Sequence, residues 1–176
     1  SEMCIRDSLR SYRTAGDGVV TVHILLVEDE DPKRLHVCRL IEAVSGEIKV
    51  TVAKSVNSAL DALEDRTPDL LLLDMSLPTF DVGDGESGGR PQGFGGKEIL
   101  WHMSFAGILC PTVVITGYEA LPREDGMVPI SQLQTELTEE FPNLFKGILH
   151  YNSTFDEWKV ELTRFLADLA PTGTAS

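Results

Sequence analysis

The sequence predicts an α/β domain built on a doubly wound, five-stranded parallel sheet with helices on both faces. Short apolar runs alternate with longer segments of helical periodicity from about residue 20 to residue 169. The apolar runs are nearly continuous, which is typical of strands that are buried on both faces. Because crossovers between parallel strands are right-handed, helices placed between such strands cover the two faces of one sheet.

The predicted strands are four to six residues long and rich in leucine, isoleucine and valine. They span Val22–Val27, Ile48–Ala53, Asp69–Asp74, Thr112–Ile115 and Gly147–His150. The third strand is the most apolar of the five. We therefore expect it at the centre of the sheet, where both edges and both faces are covered.

Helices are predicted between the strands, where apolar residues recur three or four positions apart. Asp31-Pro32 is a start signal for the first helix, Ser45-Gly46 ends it, and Ser55 caps the second. The other helices are predicted over Phe94–Phe105, Ile130–Phe141 and Phe155–Leu169. Trp101 and Trp158 fall on apolar helix faces, and we expect both to pack in the core.

The charge balance excludes some classes of function. Fifteen Lys and Arg against 28 Asp and Glu give the 176-residue chain a net charge of −13. Binding to nucleic acid or to anionic lipid requires a basic surface, so we expect neither partner. No apolar run approaches the roughly 18 residues that a membrane span needs. The three cysteines form no close pairs, as expected of reduced thiols in a cytoplasmic protein.

The ends of the chain differ from its centre. Residues 1–20 have no sustained periodicity, and the string MCIRDS at Met3–Ser8 resembles translated sequencing-adapter sequence. We therefore interpret residues 1–20 as an unstructured or artefactual extension and residues 170–176 as a frayed tail. The domain is expected to span residues 21–169.

Polar side chains follow three of the predicted strands. Glu28 and Asp29 follow the first strand, Asp74 ends the third, and Thr116 follows the fourth. The carboxyl ends of parallel strands meet at one edge of a sheet, so these groups are expected to converge. Clustered carboxylates repel one another unless a cation neutralises them. The pattern therefore predicts a hard divalent cation, best matched by Mg²⁺, which keeps water ligands for an incoming phosphate.

Four stretches of the sequence follow one another between the predicted elements: ILLVEDEDPKRLHVCRLIE, PDLLLLDMSLP, GFGGKEIL and PTVVITGY. In this order they resemble the receiver domain of two-component response regulators. The resemblance implies a flavodoxin-like fold and a regulatory phosphoacceptor, which is not an enzyme in its own right. It implies that Asp74 accepts a phosphoryl group from a histidine kinase or phosphotransfer protein. It also implies that Asp29, Asp74, Glu28 (partly through water) and the Ser76 backbone carbonyl hold Mg²⁺. Thr116 would contact the phosphoryl group and reorient, and a downstream protein would receive the signal.

One position departs from the receiver pattern. Receivers carry a Lys directly after the fifth strand, and here Tyr151 stands at that position. A shift of the alignment by one residue puts His150 there instead. The aromatic switch residue of the family is replaced by Ile148. The acidic half of the expected site is therefore complete, whereas its lysine is missing.

Two insertions are the second departure. Residues 79–92 form a Gly- and Asp-rich segment that begins just after Asp74, and we expect a lid or a partner-docking loop there. Residues 117–129 form a long connection to the fourth helix. With the lysine missing, an alternative function stays open, in which the chain is a pseudo-receiver that docks proteins without being phosphorylated.

Overall fold

The computed structural model describes residues 21–81 and 94–169. In chain order, the strands are β1 (Val22–Val27), β2 (Ile48–Ala53), β3 (Leu70–Leu73), β4 (Thr112–Thr116), β5 (Ala120–Arg123), β6 (Gly126–Pro129) and β7 (Phe145–His150). Five of them form a parallel sheet in the order β2-β1-β3-β4-β7, which confirms the predicted fold class. The expectations for residues 1–20, 82–92 and 170–176 lie outside the described residues.

Helices cover both faces of this sheet. They are α1 (Asp31–Val44), α2 (Val56–Asp65), α3 (Gly95–Ala106), α4 (Ile130–Glu140) and α5 (Glu157–Leu169). Buried residues of α1 and α5 share one apolar cluster, and those of α2, α3 and α4 share the other. No helix in the described part of the chain is long and apolar enough to cross a membrane.

The central position of β3 agrees with its sequence. All four residues of Leu70–Leu73 are buried. Leu71 and Leu73 join the cluster under α2, α3 and α4, while Leu70 and Leu72 join the cluster under α1 and α5. Both edges of β3 are also paired, to β1 and to β4. A strand enclosed on four sides has no polar surroundings, which explains its run of leucines.

The insertion at 117–129 is a β-hairpin rather than an irregular connection. Strands β5 and β6 pair antiparallel, and Leu121 and Val128 are buried in the cluster under α2, α3 and α4. Arg123 donates two hydrogen bonds to Glu136 on α4, from Nη1 to Oε1 at 3.1 Å and from Nη2 to Oε2 at 2.6 Å. The sequence prediction missed both strands because each is only four residues long, with a proline in each.

Several predicted boundaries shift by one or two residues. The first helix begins at Asp31 itself, so the residue that precedes the helix is Glu30, whose side chain makes no capping hydrogen bond. The last sheet strand begins at Phe145 rather than Gly147, because Thr112 pairs with Phe145 before the register shifts. The physical reason is an irregular pairing, which an apolar run does not reveal.

The two tryptophans differ in their surroundings. Trp158 is buried, and its indole Nε1 donates to the Asn152 carbonyl at 3.0 Å, so the expectation of core packing is confirmed. Trp101 is 55% exposed and has an edge-to-face contact with Phe141. The expectation for Trp101 was wrong, because its face of α3 is turned outward in the described part of the chain.

Candidate functional site: an acidic pocket at the carboxyl edge of the sheet

The acidic pocket is formed where two neighbouring strands end. Strands β1 and β3 pair with Val27 opposite Leu73, and the Asp74 amide donates to the Val27 carbonyl at 3.0 Å. This pairing brings Glu28 and Asp29, which follow β1, beside Asp74, which follows β3. One carboxylate oxygen from each residue lies within 4.8 Å of the others. The predicted convergence of the three acids is therefore present in the fold.

The acids are enclosed to different degrees. Glu28 is 1% exposed and Asp74 is 4% exposed, whereas Asp29 is half-buried. Burial raises the pKa of Glu28 to about 7, and the charge of Asp74 adds to this shift. Burial also raises the pKa of Asp74 and the pKa of Asp29 above their ordinary values. The donor set fits a hard divalent cation, since hard carboxylate oxygens held close together are what such a cation prefers.

A lysine that the sequence analysis overlooked lies inside this pocket. The Lys33 ammonium is 2.6 Å from Glu28 Oε2 and 3.2 Å from Asp74 Oδ1, and the side chain is only 4% exposed. Burial alone would lower the pKa of Lys33, but the Asp74 and Glu28 carboxylates outweigh it and raise that pKa. Helical spacing was the available signal, because Lys33 lies four residues before Val37 and eight before Ile41, which are both buried.

The loop after Asp74 is held by close packing against α3. The Ser76 backbone N–H hydrogen-bonds to the Asp74 carboxylate, and the Met75 carbonyl accepts from the Gly96 amide at 3.0 Å. A Cβ added to Gly96 would lie 2.4 Å from the Asp74 carbonyl oxygen. Glycine is therefore required for this approach, and Gly95-Gly96 forms the first turn of the helix.

Thr116 ends β4 at the same edge of the sheet and is fully buried. Its hydroxyl oxygen accepts from the Tyr118 amide at 3.2 Å, and its carbonyl accepts from the Tyr151 amide at 2.8 Å. A hydroxyl that already accepts one hydrogen bond still has its proton to donate. The carboxyl edge of the sheet thus carries a hydrogen-bond donor, the Thr116 hydroxyl, as well as the three acids.

Among the described residues, neither residue at the missing-lysine position has a hydrogen bond or ion pair with Glu28, Asp29 or Asp74. The Tyr151 hydroxyl shares a hydrogen bond with His36 Nδ1 on α1, and its ring packs at 5.1 Å from the Trp158 ring. His150 ends β7 opposite Thr116 and is exposed. A cleft of about 290 Å³ beside them is lined in part by Glu30, Tyr118 and Tyr151.

The curated proteins include a relative of similar length. The chain is 28% identical over 148 residues to the Detocs response regulatory protein DtcB of Enterobacter cloacae, across 83% of this chain and 99% of that protein. No family model matches the chain.

Solved receiver domains have the same fold as the chain. A CheY-like receiver domain from Methylobacillus flagellatus matches with a TM-score of 0.55 and 18% identity, over 85% of this chain and 99% of that one. The receiver domain of a sensor histidine kinase from Pseudomonas aeruginosa, which has a magnesium ion coordinated in its active-site cleft, matches with a TM-score of 0.55 and 19% identity, over 85% and 98%. The chain therefore has the fold of receiver domains and is similar in sequence to a response regulatory protein.

Proposed function

We propose that the chain is an atypical receiver domain of the response-regulator type, which accepts a phosphoryl group on Asp74 from a histidine kinase or phosphotransfer protein and signals by binding a downstream protein in the cytoplasm. The observation that carries the proposal is the enclosure of Asp74 at the carboxyl edge, beside two further carboxylates and a buried hydroxyl. In this role the chain is a regulatory phosphoacceptor that at most assists its own phosphorylation and dephosphorylation.

The proposed cofactor is Mg²⁺, held by Glu28, Asp29, Asp74 and the backbone carbonyl of Ser76. Asp29 is half-buried, so it is the most exposed of the three carboxylates and the one that a hydrated cation would meet first. When bound, such a cation would neutralise part of the negative charge that the nucleophilic carboxylate and the phosphoryl group bring together. The relative from Pseudomonas aeruginosa, with magnesium in its cleft, supports this choice of ion.

The side chains of the pocket divide the remaining tasks. Asp74 supplies the attacking carboxylate oxygen, and its loop is kept in place by the Met75–Gly96 hydrogen bond. In this proposal the Thr116 hydroxyl, buried at the same edge of the sheet, donates its proton to a phosphoryl oxygen. Donating this proton would change the hydrogen bond between the Thr116 hydroxyl and the Tyr118 amide, which offers a route for a conformational response.

An intact-mass experiment tests the phosphoacceptor assignment. The protein is incubated with Mg²⁺ and acetyl phosphate and then weighed, and we expect a gain of one phosphoryl group. Asp74→Asn removes the nucleophile while keeping the shape of the side chain, so it should gain none. Equal mass gain in the variant and the wild-type protein would refute Asp74 as the acceptor.

A second function is favoured by one specific observation, the contact of Lys33 with Glu28 and Asp74. Because the ammonium neutralises part of the acidic charge, the three carboxylates are compensated in part without a metal ion. A pseudo-receiver that docks a partner without phosphorylation would have such a pocket. The same experiment separates the two functions, since a pseudo-receiver gains no mass in the presence of Mg²⁺ and acetyl phosphate.

A further inference from the structure

The acidic pocket obtains its positive charge from α1. Lys33 lies in the first turn of that helix, and its ammonium bridges Glu28 Oε2 at 2.6 Å and Asp74 Oδ1 at 3.2 Å. A buried ammonium between two buried carboxylates satisfies charges that would otherwise be costly to enclose. The contact of Lys33 with the two acids is therefore a buried part of the folded structure, unlike that of a surface lysine that happens to approach an acid.

The end of β7 contributes no charge to the same place. Tyr151 carries a hydroxyl that is engaged by His36, and His150 is exposed. Neither residue forms an ion pair with the pocket acids among the described residues. The only ammonium or guanidinium group within 4 Å of Glu28 or Asp74 in the described ranges belongs to Lys33.

We propose that Lys33 is the cationic contact of the phosphoryl group on Asp74, and that it does from α1 what a lysine after the last strand would do from β7. This inference rests on the proposed function. With acetyl phosphate as donor, an Asp74 carboxylate oxygen forms the new bond to phosphorus. The bond between phosphorus and the acetate oxygen breaks with its electron pair, and acetate leaves without needing a proton. Lys33 neutralises part of the charge that gathers on the transferred oxygens.

The location of the Lys33 ammonium also determines which structural element responds to phosphorylation. A lysine after β7 would pull on that strand, whereas Lys33 pulls on α1 when its partner changes from a carboxylate to a phosphoryl group. His36 is one turn further along α1 and is hydrogen-bonded to Tyr151. Movement of α1 would therefore reach the Tyr151–Trp158 pair and the surface shared by α1 and α5.

The first test measures the rate of phosphorylation by acetyl phosphate in the presence of Mg²⁺. Lys33→Met is expected to be slowed about 10- to 100-fold, the effect of losing one charge-assisted hydrogen bond. Lys54→Met is the matched control, because it removes the same charge from an exposed lysine just after β2. That control should react at the wild-type rate.

A rescue variant separates a phosphoryl contact from a purely structural counter-ion. In Lys33→Met combined with Tyr151→Lys, the new lysine follows β7 and can reach the pocket from that side. We expect it to recover most of the lost rate. A structural counter-ion role would leave the double variant as slow as Lys33→Met, and that result would overturn the inference.

A readout that does not depend on the reaction rate is amide hydrogen exchange with beryllium fluoride, which mimics a phosphoryl group on a carboxylate. With Mg²⁺ and beryllium fluoride, the wild-type protein should change its exchange in α1, and Lys33→Met should not. If the wild-type response is confined to β7 and α5 without α1, the inference is wrong.

The outcomes distinguish failure of the inference from failure of the proposed function. If the wild-type protein gains no phosphoryl group, the proposed function fails and the inference fails with it. If the wild-type protein is phosphorylated and Lys33→Met reacts at the same rate, the inference alone fails. Should Lys33→Met not fold, Lys33→Gln and Lys33→Arg replace it, and the inference requires the arginine variant to react faster than the glutamine variant.

Discussion

Gly96 controls how closely the third helix approaches the backbone that carries the phosphoacceptor candidate. A Cβ at this position would lie 2.4 Å from the Asp74 carbonyl oxygen, and the Met75 carbonyl accepts from the Gly96 amide. The pair of glycines is thus part of the support of the acidic pocket. A side chain as small as a methyl group at this position would push the helix away from the loop after β3.

We expect Gly96→Ala to lower the free energy of unfolding by about 1–3 kcal/mol, because overpacking forces the backbone to shift. Urea denaturation measures the loss. Gly46→Ala is the matched control, since a Cβ there would meet nothing within 4 Å, and its effect should stay within about 0.5 kcal/mol. Equal stability of Gly96→Ala and the wild-type protein would show that α3 can withdraw from the loop without cost.

At the scale of elements, the hairpin of β5 and β6 is fastened to α4 by a bidentate ion pair. Arg123 reaches Glu136 with two nitrogens and also lies over the Phe94 ring at 4.9 Å from its centroid. Hydrogen bonds from Arg123 and Gln132 lower the pKa of Glu136 to about 2. The pair therefore links the hairpin, α4 and the start of α3 on one side of the sheet.

This ion pair predicts a pH dependence of stability. Because the folded-state pKa of Glu136 lies below its ordinary value of 4.5, the stabilisation is complete above that value and is lost as the pH falls towards about 2. Urea denaturation should find Glu136→Gln less stable than the wild-type protein at pH 7, with a difference that shrinks as the pH is lowered from 4.5 to 2.5. Both side chains are partly exposed, so we expect a small effect.

Glu139→Gln is the matched control for this prediction, because Glu139 is an exposed residue of the same helix. Its stability should follow that of the wild-type protein at both ends of the pH range. A constant difference between Glu136→Gln and the wild-type protein across this range would mean that the hydrogen bonds to Arg123 do not depend on the charge of Glu136.

For the whole molecule, the proposed metal site couples ligand binding to folding. A ligand that binds only the folded state stabilises it by an amount that grows with concentration, about 2.7 kcal/mol at 100 times the dissociation constant. We expect Mg²⁺ to raise the melting temperature of the wild-type protein. Asp29→Asn should abolish most of this rise, because it removes the carboxylate that is open to solvent and leaves the buried pair in place.

The comparison is made at constant ionic strength with NaCl, because the chain has a net charge of −13 and any salt screens its self-repulsion. Asp61→Asn, on the exposed face of α2, is the control and should keep the full Mg²⁺ response. An equal rise in the wild-type protein and Asp29→Asn would mean that Mg²⁺ acts on the acidic surface in general and would contradict the proposed site.

Local pattern was enough to predict the sheet and the acidic half of the site. The leucines of Leu70–Leu73 predicted a central strand because a strand buried on all sides has to be apolar along its whole length. Parallel strands end at one edge, so carboxylates at Glu28, Asp29 and Asp74 had to meet once the strand order placed β1 beside β3. The apolar run is visible in consecutive residues of the sequence, and the meeting of the three acids follows from the parallel topology of the sheet.

Tertiary structure alone decided the cationic half of the site and the hairpin. Helical spacing puts Lys33 on the buried face of α1, but its approach to Asp74, 41 positions along the chain, depends on how α1 sits over the sheet edge. In the same way, β5 and β6 are too short to be recognised until they pair and pack against α4. Sequence periodicity shows which side of a helix or strand is buried. Which residue of another element it contacts there is set by the packing of whole elements. In this protein, that packing brings the Lys33 ammonium to the acids, where the sequence has no lysine after the last strand.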